Sequence, residues 1–109
     1  MAGTFTIKSL ADGQLAAAKA TLYTVPASTQ TIIKTITLVN TDTSARTVNL
    51  YIKVSGGTSR RIRPKDMSLG VKYLWVNPDE LTLEAADEIE GDASAATVVD
   101  YTINGIEES

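Results

Sequence analysis

Polar and apolar residues alternate with a period of two along most of the chain, and the alternating residues are largely Thr, Val and Ile. β-Branched side chains in this period predict strands. The clearest runs from Arg46 to Val54, with Val48, Leu50, Ile52 and Val54 on one face and Thr47, Asn49, Tyr51 and Lys53 on the other. The first set is expected to face a core. Ahead of it, Ile32 to Val39 sets Ile36 and Leu38 against Thr35 and Thr37, and the polar stretch Asn40-Thr-Asp-Thr-Ser44 between the two reads as a hairpin loop. Further strands are expected at Thr4 to Leu10, Thr21 to Val25, Arg60 to Arg63, Val71 to Val76, Leu81 to Glu84 and Thr97 to Ile103. Breaks fall at Gly56-Gly57, Pro64-Lys-Asp66, Asn77-Pro-Asp79 and Gly91-Asp92. About eight short strands predict an all-β chain: a single antiparallel β-sandwich of jelly-roll or Greek-key type, its Leu, Ile and Val filling the space between sheets.

One stretch departs from the pattern. Asp12 to Ala20 carries Ala16, Ala17, Ala18 and Ala20, good helix formers, but a run this short after Gly13 is marginal as a helix. Residues 1–20 are therefore expected to form an extended N-terminal arm that orders on a partner, with the sandwich over 21–109. An internal echo aligns Asp42–Tyr51 with Asp92–Tyr101 at Asp, Ser, Ala, Thr, Val and Tyr. The strands that follow alternate in opposite phase, so shared turn chemistry explains the match better than a repeat.

Composition narrows the chemistry. In 109 residues there is no His and no Cys, which removes the commonest general base, the thiol nucleophile and the usual ligands of zinc and haem. A hydroxyl nucleophile would need a Lys base, and no Ser-x-x-Lys is present. The chain is expected not to be an enzyme and to need no cofactor. Its start, Met1-Ala-Gly-Thr-Phe-Thr-Ile-Lys8, lacks the form of a secretory signal, and no apolar run is long enough to span a membrane.

The net charge of −3 conceals an asymmetry. Residues 1–75 carry ten cations against three anions, a net +7, whereas residues 76–109 carry ten anions and no cation, a net −10. The densest acidic group is Asp87, Glu88, Glu90 and Asp92. Its spacing fits no EF-hand, and a solvated turn-and-strand segment accounts for it better than a calcium loop. The basic cluster is Arg60, Arg61, Arg63 and Lys65, with alternation placing Arg61 and Arg63 on one face. Neither stacking aromatics nor a groove-reading element accompanies it, so nucleic acid is not an expected partner. Two readings remain: charges that protect an edge strand, or a docking patch for an acidic partner such as the acidic segment of an identical subunit. On the second reading the two clusters together form a candidate interface, pairing subunits head to tail.

Thr21-Leu-Tyr-Thr-Val-Pro-Ala27, Ile33-Lys-Thr-Ile-Thr-Leu-Val-Asn-Thr41, Thr47-Val-Asn-Leu-Tyr51, Leu81-Thr-Leu-Glu-Ala-Ala-Asp-Glu-Ile-Glu-Gly91 and Tyr101-Thr-Ile-Asn-Gly-Ile106 cover most of the chain. Together they resemble small structural proteins of tailed bacteriophages. Ala85-Ala-Asp87 stands where many such proteins have Ala-Gly-Asp. The resemblance implies a non-enzymatic β-sandwich in the virion, assembled in the host cytoplasm and often homo-oligomeric. It would bind other virion proteins as capsid decoration or at a tail or fibre, with no membrane partner and no catalytic residues. The alternative is a carbohydrate-binding sandwich, whose sugar platform would draw on Trp75, Tyr73, Tyr51 and Tyr23. Trp75 and Tyr73 would share a strand face, an arrangement that core packing explains better.

Overall fold

The computed structural model describes residues 3–77 and 80–109; Pro78 and Asp79, within one expected break, and Met1 and Ala2 of the expected arm lie outside that range. Among the described residues there are ten strands and no helix: β1 Phe5–Gln14, β2 Ala20–Thr24, β3 Gln30–Asn40, β4 Arg46–Lys53, β5 Ser59–Arg61, β6 Met67–Leu69, β7 Leu74–Asn77, β8 Leu81–Leu83, β9 Glu88–Ala93 and β10 Val99–Glu108. They build two antiparallel sheets. The first runs β1-β10-β3-β7, with β8 also on β3; the second runs β2-β9-β4-β5, with β6 also on β4.

Short strands share an edge in each sheet. β7 pairs with Ile36–Val39 and β8 with Thr31–Ile33 of the same neighbour. β5 pairs with Tyr51–Lys53 and β6 with Arg46–Val48. Counting each divided edge once leaves four positions per sheet, with the chain changing sheets at every step except from β4 to β5 and β6: the jelly-roll form of the expected sandwich.

This topology corrects the hairpin expected at Asn40–Ser44. β3 and β4 belong to different sheets, so the segment crosses from one to the other. Buried Asn40 holds the crossing: its Nδ2 donates to the carbonyls of Ser44, Leu69 and Gly70 at 3.0, 3.1 and 3.1 Å, and its Oδ1 accepts from the Asp42 N–H at 2.9 Å. The same polar residues that signal a turn here satisfy a buried corner. Asp42 also receives the Arg46 Nε at 2.7 Å, and that bond holds its carboxyl below the usual carboxylate range.

The stretch expected as an arm is ordered from within the chain. β1 pairs with β10 from Phe5 to Gln14. Leu15 is wholly buried, and its N–H donates to the Val99 carbonyl at 2.9 Å. A buried apolar side chain and a ladder interrupted only at Leu10 tie this segment to the first sheet.

Leu15, Ile33, Ile36, Leu38, Leu50, Ile89 and Ile103 are among the fully buried residues between the sheets. Val48, Leu50 and Ile52 face the core as the alternation requires, whereas Val54 lies beyond the end of β4 and is exposed. Strict alternation also fails inside β3, where Ile33 and Ile36 both point inward. Lys34 has no partner between the pairs Thr35↔Asn104 and Ile33↔Gly105, a bulge that flips the phase. Leu10 is skipped in the same way in β1. Gly105 sits beside both bulges, and a Cβ there would stand 2.2 Å from the Ile32 carbonyl oxygen.

Candidate functional site

The expected interface residues separate by position. In the expected turn-and-strand segment, Glu88, Glu90 and Asp92 lie on β9, an inner strand of the second sheet; the expected break at Gly91-Asp92 is inside that strand. Ladder register sets Lys53 opposite Glu88, Tyr51 opposite Glu90 and Asn49 opposite Asp92. On the far side of β4, Arg61 of β5 pairs with Tyr51. Three of the acids and Arg61 thus share the outer face of one sheet on either side of β4, within one molecule.

These side chains bind one another. Asp92 accepts from Asn49 Nδ2 at 2.8 Å and from the Tyr51 hydroxyl at 3.0 Å. Asn49 Nδ2 also donates to Asp66 at 3.1 Å, and its Oδ1 accepts from the Asp66 N–H at 2.8 Å and from the Arg61 guanidinium. Arg61 and Lys19 both lie 5.0 Å from the Tyr51 ring centre, on a side chain that is buried although it points away from the core. Burial, then the bond to Asp92 and its charge, raise the Tyr51 pKa, with Arg61 opposing. Glu88 accepts from Thr21 Oγ1 at 2.8 Å and Glu90 from Ser59 Oγ. Here hydroxyls serve as donors to carboxylates, a structural use of these groups. Among the described residues, no cluster of carboxylates is placed to hold a metal ion.

The other expected interface residues are elsewhere. Asp87 is buried in the loop before β9, accepting from the N–H groups of Ser55 and Glu84 at 2.9 Å each. It ties two loops together. Arg63 parts from Arg61 and crosses to the first sheet, its guanidinium 5.5 Å from the Trp75 ring centre and bonded to the Asn77 side chain. The chain turns after Arg61, where β5 ends, so alternation no longer fixes its direction. Arg60 and Lys65 are exposed.

The four aromatics of a sugar platform are dispersed. Tyr23 and Tyr51 are buried, and Trp75 packs against the core under Arg63. Tyr73 is exposed but precedes β7, so it does not share a strand face with Trp75.

A second surface was not singled out by the charge pattern. On the outer face of the first sheet, Ile7, Ile106 and Ile32 stand side by side across β1, β10 and β3, with Phe5 next to Ile7 on the same face. Phe5 is 70% and Ile7 86% exposed, and Ile32 is exposed as well. The Thr-Phe-Thr-Ile alternation at the N-terminus carried half of this signal; the other half needed the register of β10.

No protein-family model and no curated protein sequence matches the chain. Solved structures share its fold at low identity. A chain of the Bacillus endospore appendages, described as disulfide-linked pili, superposes with a TM-score of 0.58 at 18% identity, covering 98% of this chain and 89% of that one. A chain in the acid-stable capsid of a Helicobacter pylori bacteriophage gives 0.55 at 11% identity, covering 100% and 90%. A chain of infectious bursal disease virus also gives 0.55, at 13% identity; this chain spans 97% of its own length but 32% of the viral one. At these identities the likeness is one of fold: the chain is a jelly-roll sandwich of the kind found in viral capsid and bacterial pilus structures.

Proposed function

We propose that the chain is a non-enzymatic structural subunit of a tailed-phage virion, binding other virion proteins in a lattice as capsid decoration or at a tail or fibre. The observation that carries this reading is the end-to-end correspondence with the bacteriophage capsid chain, in which each protein is nearly all jelly roll. A sandwich of that form offers two sheet faces and four edges to neighbours. The pilus likeness is of equal extent, but a cysteine-free chain has no means of making disulfide links. Saturation of the polar face by internal hydrogen bonds favours a structural role for that face over a catalytic one. The dispersed aromatics speak against the sugar-binding alternative.

The test is immunogold labelling of density-purified particles with antibody raised against the full chain. Regular label on the capsid or at the tail is the expected result, and its position distinguishes decoration from tail attachment. Particles free of the chain while it accumulates in the soluble fraction would overturn the proposal.

A further inference from the structure

The four sheet edges are unequal. The second sheet ends in β2, five residues long, and in the divided pair β5 and β6, three residues each. The far edge of the first sheet is divided between β7, four residues, and β8, three. Short or interrupted strands are the usual protection against unwanted sheet pairing. β1 is the longest of the four: it is ten residues long, its bulge falls only at Leu10, every residue from Phe5 to Ser9 is exposed, and Lys8, the one charge in that run, is paired with Glu107. A long edge carrying exposed Phe5 and Ile7 is a template for another strand.

We propose that the partner is a second copy of this chain, pairing β1 with β1 antiparallel about a two-fold axis at Thr6, so that the two first sheets become one. Four features of β1 select this occupant and register. Residues facing one another in an antiparallel ladder share a face, so Phe5 and Ile7, both outward, must meet outward residues. Centring on Thr6 places each Phe5 opposite the other copy's Ile7 and each Lys8 opposite Thr4. Centring on Phe5 would leave Ile7 against Gly3, centring on Ile7 would set Phe5 against Ser9, and centring on Lys8 would oppose like charges. The bulge at Leu10 ends the regular stretch, and Gly3 to Ser9 about Thr6 falls wholly before it. None of the other three edges has an unbroken run of seven residues to offer, so β1 is its own best complement.

The aromatic and aliphatic pair at the seam extends the apolar row of each subunit across the axis, from Ile32 through Ile106 and Ile7 to the neighbour's Phe5. A contact of this kind belongs at the small end of specific interfaces, below about 1,200 Å². It is therefore weak in dilute solution and reinforced where many copies gather.

Because the chain has no cysteine, single substitutions report the register directly. Opposed residues in an antiparallel ladder have Cα atoms about 4.5–5.5 Å apart, within the disulfide range of about 4.4–6.8 Å. Thr6→Cys should therefore cross-link to its own copy under mild oxidation. Thr4→Cys and Ser9→Cys should not, since each is separated from its own copy by four or six positions along the strand, more than about 13 Å. All three sites are exposed, and the substitutions leave the core untouched. The expected result is disulfide dimer forming at least about tenfold faster for Thr6→Cys than for the other two, with Ile7→Lys in the same chain removing the difference. Similar rates at all three positions, faster cross-linking at Thr4 or Ser9, or cross-linking that requires another virion protein would overturn the proposal. Failure here would leave the virion reading intact, because immunogold labelling does not depend on how copies pair.

Discussion

Tyr23 sits at the centre of a small closed set of polar groups. Its buried hydroxyl is 2.9 Å from Thr31 Oγ1 and donates to Glu107 at 2.6 Å, and Glu107 also accepts from Lys8 Nζ at 3.2 Å. Burial, and next the carboxylate partner, push the Tyr23 pKa up to about 12. The bond from Tyr23, with help from Lys8, holds the Glu107 carboxyl below its ordinary value. The two shifts act at opposite ends of the pH scale. The raised Tyr23 value gives stability that is intact below about pH 10 and lost as pH rises through the folded value. The lowered Glu107 value gives stability that is present above about pH 4.3 and lost as pH falls through the folded value. Tyr23→Phe should cost roughly 1–3 kcal/mol at neutral pH and flatten both limbs of the curve of urea-unfolding stability against pH. Parallel curves for wild type and variant would show that the coupling is absent. Gly105 makes a different demand. A Cβ there would meet the Ile32 carbonyl oxygen at 2.2 Å and Leu10 Cδ1 at 2.9 Å, with backbone on one side that cannot swing away. Gly105→Ala should destabilise by at least about 1–3 kcal/mol, read as a lower urea midpoint; an unchanged midpoint would mean that the β3 and β1 bulges relax freely.

At the level of elements, the strands best marked in the sequence were those with one wet face. β4 alternates cleanly because its outer residues, Thr47 to Lys53, are polar, and its bounds differ from expectation by one residue. β9 was hidden for the converse reason: Glu88, Glu90 and Asp92 alternate with Ile89, Gly91 and Ala93, a proper period of two whose inner face is small. Gly91 reads as a breaker, yet the inner face needs it, since a Cβ would press on Leu22 and the Asn49 carbonyl at 3.0 and 3.1 Å. The carboxylates of β9 are readable as strand residues only once the partners on β4 are known, and that pairing spans some forty positions of sequence. β10 likewise runs to Glu108, past the expected end at Ile103, because Asn104-Gly105 accommodates a bulge and does not end the strand. Long-range register, which no local pattern encodes, is what hid both the polar face and the apolar row. If β9 is an inner strand, Ile89, which is wholly buried, carries far more than its place in an acidic segment suggests. Ile89→Ala should cost about 2–5 kcal/mol of unfolding free energy, whereas Ile7→Ala on the exposed edge should change the monomer by less than about 0.5 kcal/mol. Equal losses in chemical denaturation would contradict the placement of either strand.

For the whole molecule, the contrast between a basic first part and an acidic last part becomes a set of short-range pairings. Lys8 binds Glu107, and Lys34 binds Glu80, each joining a cation from the first part to an anion from the last. β9 brings three more acids alongside Lys53 and within one strand of Arg61. Antiparallel topology folds part of the gradient back on itself. Head-to-tail pairing of a basic end with an acidic end and apolar contact at β1 are two modes that one measurement separates. The two modes respond to salt in opposite ways. Raising ionic strength from about 0.1 M to about 1 M shortens the screening length from about 10 Å to about 3 Å. An association driven by separated charges would fall steeply over that range. Pairing of Phe5 with Ile7 across β1 should be unchanged or somewhat stronger, since salts that are excluded from protein surfaces favour apolar burial. Cross-linking of Thr6→Cys, followed at fixed protein concentration across this range with sodium sulfate as the salt, is expected to hold its rate or rise. A steep decline would mean that charge on the outer faces, left over after the pairings within the subunit, is what brings copies together.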